Sequence, residues 1–213
     1  MSGQPKPRGV LFVLSAPSGT GKSSLCRRLI EEVPGLAFSV SFTTRSRRAG
    51  EENGKQYWFV DDARFEDMIG EDAFLEWAEV FGHRYGTGRA ATAQALAEGR
   101  DLLLDIDVQG ARQVREAVQD SVSVFLLPPD FTTLEGRLRS RRSEDEGEVS
   151  RRLALAGAEA EEFAHYDYLV VNDELERATT DLAAIVRAER LRTARRRAHA
   201  ARILATFPHR VNG

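Results

Sequence analysis

The chain has 213 residues, of which 42% are hydrophobic and 30% are charged, a composition typical of a globular domain and not of a disordered chain. Unbroken apolar runs reach only about five residues, which excludes a membrane-spanning helix. The polar N-terminal segment lacks the apolar core of a signal peptide, and a single cysteine, Cys26, cannot form an internal disulfide. We therefore expect a cytoplasmic protein.

The charge is unevenly distributed along the chain. The formal net charge is −3, but from residue 187 onward eight arginines stand against Glu189 alone, so the rest of the chain is strongly acidic. An acidic body argues against nucleic acid as the main ligand, because binding a phosphate backbone requires a broad basic face. We expect neither nucleic acid nor a membrane as partner, and we interpret residues 191–213 as a basic C-terminal extension. The sequence leaves the oligomeric state open.

The predicted elements begin with a buried strand at Gly9–Ser15, a loop, and a helix from Lys22 to Ile30 that Pro34 and Gly35 end. Apolar strands then alternate with helices. This alternation predicts an α/β fold, with a parallel sheet that helices cover on both faces. The further strands are predicted at Asp101–Ile106, Val122–Leu127 and Tyr168–Val171, and the helices at Ala90–Glu98, Ala111–Val118 and Glu148–Phe163.

Two segments interrupt this alternation. Residues 39–89 are rich in aromatic side chains and glycine, and they contain two apparent short antiparallel strands, Val40–Thr43 and Tyr57–Val60. We interpret them as an inserted subdomain. Ten of the sixteen residues at 137–152 are charged, which predicts a mobile, solvated segment.

The loop after the first strand has the spacing of a phosphate-binding loop, GxxxxGK[ST], with Ala16 in place of the first glycine. Backbone N–H groups of such a loop, at the positive end of a helix, can bind phosphate oxygens. Lys22 is a compact charge that can reach the β- and γ-phosphates, and the Ser23 hydroxyl can bind Mg²⁺. The predicted ATP-binding residues of this segment are Ala16, Pro17, Ser18, Gly19, Thr20, Gly21, Lys22, Ser23 and Ser24.

A second signal is the segment LLLDID, an apolar strand followed by Asp105 and Asp107. An acidic residue at a strand end is often only a cap or a turn residue. Enzymes with a phosphate-binding loop, however, commonly place such a residue beside the loop to hold the metal. Together with the loop, it makes Ser23 and Asp105 the candidate ligands of Mg²⁺.

The inserted segment carries the motifs that indicate a family. The stretches SFTTRSRRAGEENGKQYWFV, FLEWA and FGHRYGT, behind the loop SAPSGTGKSS, closely resemble guanylate kinases, which phosphorylate GMP with ATP. The resemblance extends from about Arg8 to Arg190 and implies a P-loop nucleoside monophosphate kinase fold with bound Mg²⁺. It divides the chain into a P-loop core of residues 1–38, 90–136 and 153–190, a GMP-binding insertion of mixed α/β structure at 39–89, and a lid at 137–152.

The resemblance also implies residue roles for GMP. Ser41, Glu76 and Thr87 would bind the guanine base, because one carboxylate can accept hydrogen bonds from the adjacent N1–H and N2–H groups of guanine. Adenine has an acceptor at N1 and would leave the buried carboxylate unpaired, a difference on the order of 10³-fold in selectivity. The residues implied at the phosphate of GMP and elsewhere on that nucleotide are Arg45, Arg48, Glu51, Tyr57, Tyr85 and Asp107.

The same resemblance places Arg141 and Arg152 in a lid over ATP and Asn172 beside the adenine. Lys22, Arg45, Arg141 and Arg152 are the implied catalytic residues. GMP has a second phosphate pKa of about 6, so no general base is required, and catalysis consists of positioning two anions and compensating their charge. The remaining arginines of this segment are expected to face solvent: Arg137, Arg139, Arg142 and Arg151.

Two alternative functions remain open at this point. One is another small-substrate kinase with a phosphate-binding loop, acting on AMP or on a sugar phosphate, which Ser41, Glu76 and Thr87 disfavour. The other is a non-catalytic, guanylate-kinase-like domain that binds phosphopeptides in a scaffold protein. The intact Gly21-Lys22-Ser23 sequence disfavours that second reading.

Overall fold

The computed structural model describes residues 8–140 and 146–208 of the chain. The strands in these residues are β1 (Leu11–Ser15), β2 (Leu36–Phe38), β3 (Ser41–Thr43), β4 (Tyr57–Phe59), β5 (Phe74–Val80), β6 (His83–Gly88), β7 (Asp101–Asp105), β8 (Val122–Leu127) and β9 (Tyr168–Val171). The α-helices are α1 (Lys22–Glu32), α2 (Asp62–Gly70), α3 (Arg89–Ala97), α4 (Val108–Ala117), α5 (Phe131–Arg139), α6 (Glu146–Glu161), α7 (Leu175–Leu191) and α8 (Thr193–Leu204). A 3₁₀ helix at Glu162–His165 follows α6.

The core sheet consists of parallel strands in the order β2-β7-β1-β8-β9 within the described residues. Strand β1 lies at its centre, between β7 and β8. The predicted α/β class with a parallel, helix-covered sheet is confirmed. Because parallel strands present their carboxyl ends at one edge, the loop after β1 and the acidic segment after β7 lie side by side.

Helices cover both faces of the core sheet. Phe12 and Leu14 of β1 contribute to one apolar cluster with α1 and α7, while Leu11 and Val13 contribute to a second cluster with α3 and α4. Successive side chains of a strand point to opposite faces, so every residue of a central strand is buried here. This double burial explains why β1 is an unbroken apolar run.

The second sheet has the strand order β4-β3-β6-β5. The two short strands predicted in this region are present, but the expectation that they are antiparallel is wrong, because β3 and β4 pair in parallel. The chain between them, residues 44–56, crosses back to the end at which β3 began. The antiparallel neighbour of β3 is β6, which follows β5 in a hairpin.

Helix α4 connects the second sheet to the core sheet. The Gln113 side chain donates a hydrogen bond to the carbonyl of Trp77 (2.7 Å) and accepts one from its backbone N–H (3.1 Å). On the other side of the second sheet, Phe65 of α2 stacks on Phe74 at 4.5 Å between ring centroids. The backbone of β5 is therefore held directly by the helix that follows β7.

Most of the charged segment 137–152, which was expected to be mobile and solvated, is helical, and Leu138 and Val149 within it are buried. Residues 137–139 belong to α5 and residues 146–152 belong to α6, while residues 141–145 lie outside the described residues. Leu134, Leu138 and Val149 form a small apolar cluster between the two helices. A few widely spaced apolar residues are enough to fix both helices, although charged residues dominate the sequence around them.

The C-terminal helices differ in their contacts with the core. Helix α7 buries Leu182 and Val186 against the core, whereas α8 has no buried side chain. At the junction, buried Asp101 accepts hydrogen bonds from the backbone N–H of Val10 and from Nε of Arg190, both at 2.6 Å. In the described part of the chain, no helix is long and apolar enough to cross a membrane.

We expect Leu126→Ala to lower the free energy of unfolding by about 2–5 kcal/mol, because Leu126 is fully buried on β8 and its removal leaves a cavity. The matched control is Leu204→Ala on α8, where the leucine is 65% exposed and the expected change is within about 0.5 kcal/mol. Urea unfolding followed by circular dichroism measures both values. Equal effects of the two substitutions would contradict the assigned core.

Candidate functional site

The loop between β1 and α1 adopts a backbone conformation that demands glycine at its end. Gly21 has φ +94°, and a Cβ atom there would lie 2.7 Å from the side-chain nitrogen of Asn172. Ala16 does not have a positive φ, so alanine fits at the position where the motif has its first glycine. The loop then continues directly into the first turn of α1, whose free N–H groups give it a positive end.

Two side chains from distant segments hold the loop. The amide nitrogen of Asn172 donates a hydrogen bond to the carbonyl of Thr20 (2.6 Å), and Arg137 donates to the same carbonyl (3.3 Å) and to that of Asn172 (3.0 Å). Arg137 is half-buried, so the expectation that it faces solvent is wrong. The carbonyls that it contacts, those of Thr20 and Asn172, lie far apart in the sequence and come together only in the folded chain.

The loop also contacts an acidic side chain from α6. The backbone N–H of Ser18 donates a hydrogen bond to a carboxylate oxygen of Glu159 on α6 (3.3 Å). Burial raises the pKa of Glu159 against the opposing effect of this hydrogen bond. In this contact a loop N–H donates a hydrogen bond to an anionic oxygen, as it would to a phosphate oxygen.

The end of β7 brings a carboxylate to the loop. Nζ of Lys22 lies 2.8 Å from Oδ1 of Asp105, and Ser23 donates a hydrogen bond to Oδ2 of the same residue (3.2 Å). Burial lowers the pKa of Lys22, but the ion pair with Asp105 outweighs burial, and the net shift is upward. Lys22 is therefore fully charged at neutral pH. The Ser23 hydroxyl and the Asp105 carboxylate together offer hard oxygen ligands of the kind that Mg²⁺ prefers.

A buried carboxylate lies where α4 meets the second sheet. Glu76 on β5 is 4% exposed and accepts a hydrogen bond from the hydroxyl of Thr87 on β6 (2.6 Å). Burial raises its pKa to about 7, although the Thr87 hydrogen bond opposes the shift and Asp107 adds to it. A Cβ atom on Gly110 would overlap the Glu76 carboxylate, which would then have to move. Asp107 caps the same helix by accepting from the N–H of Gly110 (2.8 Å).

A cluster of arginine and tyrosine lies on the other strands of the second sheet. Arg45 donates two hydrogen bonds to Glu51, at 3.1 and 2.7 Å, and its guanidinium lies 5.4 Å from the centre of the Tyr57 ring. The Tyr57 and Tyr85 rings are 5.8 Å apart. The hydrogen bond from Arg45 lowers the pKa of Glu51, as does one from the backbone N–H of Arg48. The Arg45 fork is thus held in place before any ligand arrives.

The loop and the second sheet face one another across one cleft. Lys22 and Asp107 act electrostatically on the pKa of Glu76, and Lys22 acts also on Tyr57, whose pKa is raised mainly by burial. The loop end of the cleft is a cavity of about 380 Å³. Besides loop residues 16–23, its lining consists of Glu79, Val80, Phe81, Asp107, Gln109, Arg151, Leu155 and Glu159.

The other predicted site residues have the following places. Ser41 is half-buried on β3 in register with Tyr57, and Arg48 is exposed in the connection after β3. Ser24 is exposed in the first turn of α1. Arg152 is half-buried on α6, with its guanidinium 4.4 Å from the centre of the Phe81 ring.

The arginines that were expected to face solvent divide into three groups. Arg139 and Arg151 are exposed, as expected, although both have interaction partners. Arg137 is half-buried against the loop. Arg142, like the predicted lid residue Arg141, lies outside the described residues.

Several residues that build this cleft escaped the sequence analysis. Gln113 holds β5, and Gly110 lies against the carboxylate of Glu76. Arg137 and Glu159 contact the loop. Phe81 contacts Arg152. Gly110 and Gln113 follow LLLDID within one helix, and their proximity to that segment was an available signal. Phe81 is the first residue of the FGHRYGT stretch, which left its role open, and Arg137 and Glu159 have no local pattern that distinguishes them from ordinary surface residues.

Comparisons with known proteins agree with one another. A family model described as guanylate kinase matches residues 8–189. The guanylate kinase of Methylococcus capsulatus is 49% identical over 93% of this chain and 97% of its own length, and that of Escherichia coli K12 is 50% identical over 89% and 93%. The crystal structure of guanylate kinase from Anaplasma phagocytophilum superimposes with a TM-score of 0.74 at 36% identity, covering 89% of this chain and 90% of that one.

The raised pKa of Glu76 predicts a pH-dependent stability. The folded state holds the Glu76 proton more tightly than the unfolded chain, whose glutamates titrate near 4.5, so stability falls as the pH rises from about 4.5 through 7. The expected loss is on the order of 3 kcal/mol in the free energy of unfolding.

Glu76→Gln should therefore stabilise the protein at pH 8 relative to wild type and have little effect at pH 4.5. Urea unfolding at several pH values measures the difference. Glu116→Gln, at an exposed site on α4, is the control that should change neither value. A pH-independent difference between Glu76→Gln and wild type would contradict the shift.

Proposed function

The chain belongs to the guanylate kinase family, and we propose that it transfers the γ-phosphoryl group of ATP to GMP across the cleft between the loop and the second sheet. The observation that carries this proposal is the buried pair of Glu76 and Thr87, which faces Lys22 and the loop. A carboxylate held opposite a phosphate-binding loop suits a base that offers adjacent N–H donors. The product pair is ADP and GDP.

ATP binds at residues 16–24 in this proposal. The loop amides and Lys22 hold its phosphates, and the hydrogen bond between Ser18 and Glu159 gives way to a phosphate oxygen. Asn172 contributes by fixing the carbonyl of Thr20, which keeps the loop in its conformation.

The residues present fit a magnesium ion at the loop. Ser23 and Asp105 would hold it, and their oxygens lie within hydrogen-bonding distance of one another at the end of β7. When bound with ATP, such an ion would supply charge compensation for the phosphates. One hydroxyl and one carboxylate leave room for phosphate and water ligands, in keeping with the usual coordination of Mg²⁺.

GMP binds against the second sheet in this proposal. Glu76 accepts from N1–H and N2–H of guanine, Thr87 fixes the carboxylate through its hydroxyl, and Ser41 and Asp107 add polar contacts. Because burial raises the pKa of Glu76 to about 7, this carboxyl group is partly protonated near neutral pH, and guanine would favour its ionised form.

The phosphate of GMP is bound by the arginine and tyrosine cluster. Arg45, Arg48, Tyr57 and Tyr85 supply donors, and bidentate arginine contacts to phosphate are strong. Glu51 holds the Arg45 fork through two hydrogen bonds, so less side-chain entropy is lost when the phosphate arrives. We therefore assign Glu51 an orienting role in the GMP site.

Catalysis then depends on alignment and on charge. GMP is largely a dianion at neutral pH, so its phosphate oxygen attacks without a general base. Lys22, Arg45, Arg141 and Arg152 stabilise the charge on the transferred phosphoryl group. Water is a competing nucleophile, and closure of the cleft around both substrates excludes it.

The domain roles follow from these assignments. Residues 1–38, 90–136 and 153–190 form the core that binds ATP, residues 39–89 bind GMP, and residues 137–152 act as the lid. Residues 191–213 form a basic extension outside the site. A cytoplasmic location is in keeping with the single, buried Cys26 and with the nucleotide substrates.

The base specificity is testable with a coupled ADP-release assay on GMP, AMP, CMP and UMP. We expect turnover of GMP to exceed that of the other nucleotides by about 10³-fold in kcat/KM, and Glu76→Gln to lower the GMP value by about 10²-fold or more. Glu116→Gln is the control that should retain wild-type kinetics. Comparable turnover of AMP by the wild-type enzyme would contradict the proposal.

The role of the loop lysine is tested by Lys22→Met, which keeps the length of the side chain and removes its charge. We expect kcat to fall by about 10³-fold, while the Kd of GMP changes by less than about threefold, because the GMP contacts lie on the second sheet. Isothermal titration with GMP measures the affinity.

The matched control for this experiment is Lys55→Met. Lys55 is exposed in the connection before β4, where it pairs with Glu52, and its substitution should leave turnover unchanged. An active Lys22→Met enzyme would refute the assignment of the ATP site.

A further inference from the structure

The tip of the β5–β6 hairpin holds an aromatic residue in an unfavourable position. Val80 pairs with His83, so Phe81 and Gly82 form a two-residue turn, with φ values of +52° and +74°. Turns of this kind prefer glycine, asparagine or aspartate, because a bulky side chain at positive φ is strained. Phe81 is also 46% exposed, so its ring contributes little to the core. A strained, exposed aromatic residue at such a site requires another explanation.

The ring of Phe81 meets two arginines of α6. The guanidinium carbon of Arg152 lies 4.4 Å from the ring centre, and that of Arg151 lies 5.9 Å away. Both distances are within the range of a cation–π contact. The contact joins the second sheet to α6, since Phe81 belongs to the hairpin and the arginines to the helix.

The contact lies beside the phosphate end of the cleft, where Arg152 is the neighbour on α6 of the lining residue Arg151. Phe81 and Arg151 line the cavity beside the loop, and Glu159 on the same helix as the arginines accepts a hydrogen bond from Ser18 of the loop. The hairpin that ends in Phe81 also carries Glu76 and Thr87. Glu76, Thr87 and Phe81, which contacts Arg152, thus belong to one hairpin of paired strands.

We infer that Phe81 is a positioning residue for the phosphoryl transfer, holding Arg152 at the edge of the phosphate cavity and linking its position to that of the GMP-binding hairpin. A guanidinium stacked on a ring uses its face, and its edge can still donate hydrogen bonds to phosphate oxygens. Any movement of the hairpin on GMP binding therefore carries the support of Arg152 with it. The inference rests on the proposed function, because it assigns Arg152 to the reaction of ATP with GMP.

The experiment compares Phe81→Leu, which keeps an apolar side chain but removes the π face, with Phe81→Tyr, which keeps the ring. We expect Phe81→Leu to lower kcat by about tenfold, the effect of losing a partly desolvated cation–π contact. The Kd of GMP without ATP should change by less than about twofold, because the guanine and phosphate contacts are untouched. Phe81→Tyr should restore kcat to within about twofold of wild type.

A double-mutant cycle identifies the partner of the ring. In the background of Arg152→Gln, Phe81→Leu should lower kcat by less than about twofold, because the contact is already lost. Phe207→Leu, at an exposed phenylalanine near the C-terminus, is the control that should leave kcat unchanged. Circular dichroism and thermal unfolding establish that all variants are folded.

Three outcomes would overturn the inference. They are wild-type kcat in Phe81→Leu, an equal loss of kcat in Phe81→Tyr, and a tenfold loss that persists in the Arg152→Gln background. Failure of the proposed function itself is a different observation, namely that wild-type protein does not turn over GMP.

Discussion

The ion pair between Lys22 and Asp105 joins the two strand ends on which the whole site is built. Strand β1 leads into the loop and α1, and β7 leads into Asp107 and α4, which carries Gly110 against Glu76. Because the strands are parallel neighbours, both connections leave the same edge of the core sheet. The position of Asp105 at the end of β7 is therefore linked by α4 to the position of Glu76, the carboxylate that we assign to guanine.

Charged side chains in the cleft are positioned by partners that exist before a ligand binds. Lys22 has Asp105, Arg45 has Glu51, and Arg152 has the ring of Phe81. Such contacts reduce the side-chain entropy that binding would otherwise cost. They also limit repulsion among cations that must converge on two phosphorylated substrates.

The pKa values of Glu76 and Glu51 are shifted in opposite directions by different causes. Burial between β5, β6 and α4 raises its pKa to about 7, whereas Glu51 is kept ionised by its hydrogen bonds with Arg45 and Arg48. Among the described residues Glu76 has no ion-pair partner, so its buried carboxylate needs hydrogen-bond donors, and the Thr87 hydroxyl supplies one. In the proposed complex, a base with two adjacent N–H groups would supply the remaining hydrogen bonds, so the same burial that costs stability would favour one substrate.

The sequence by itself determined the parallel α/β core, because buried strands, a glycine-rich loop and a helix each have a local pattern of a few residues. It placed β1, the loop and α1 within one or two residues of their observed bounds and indicated the family through ordered motifs. The tertiary structure alone decided the parallel pairing of β3 with β4, the burial of Arg137 against the loop, and the contacts of Gln113, Glu159 and Phe81. These features depend on segments far apart in the chain. A charged or aromatic residue on a helix or a turn reads as a solvated surface until the fold brings its partner within a few ångströms.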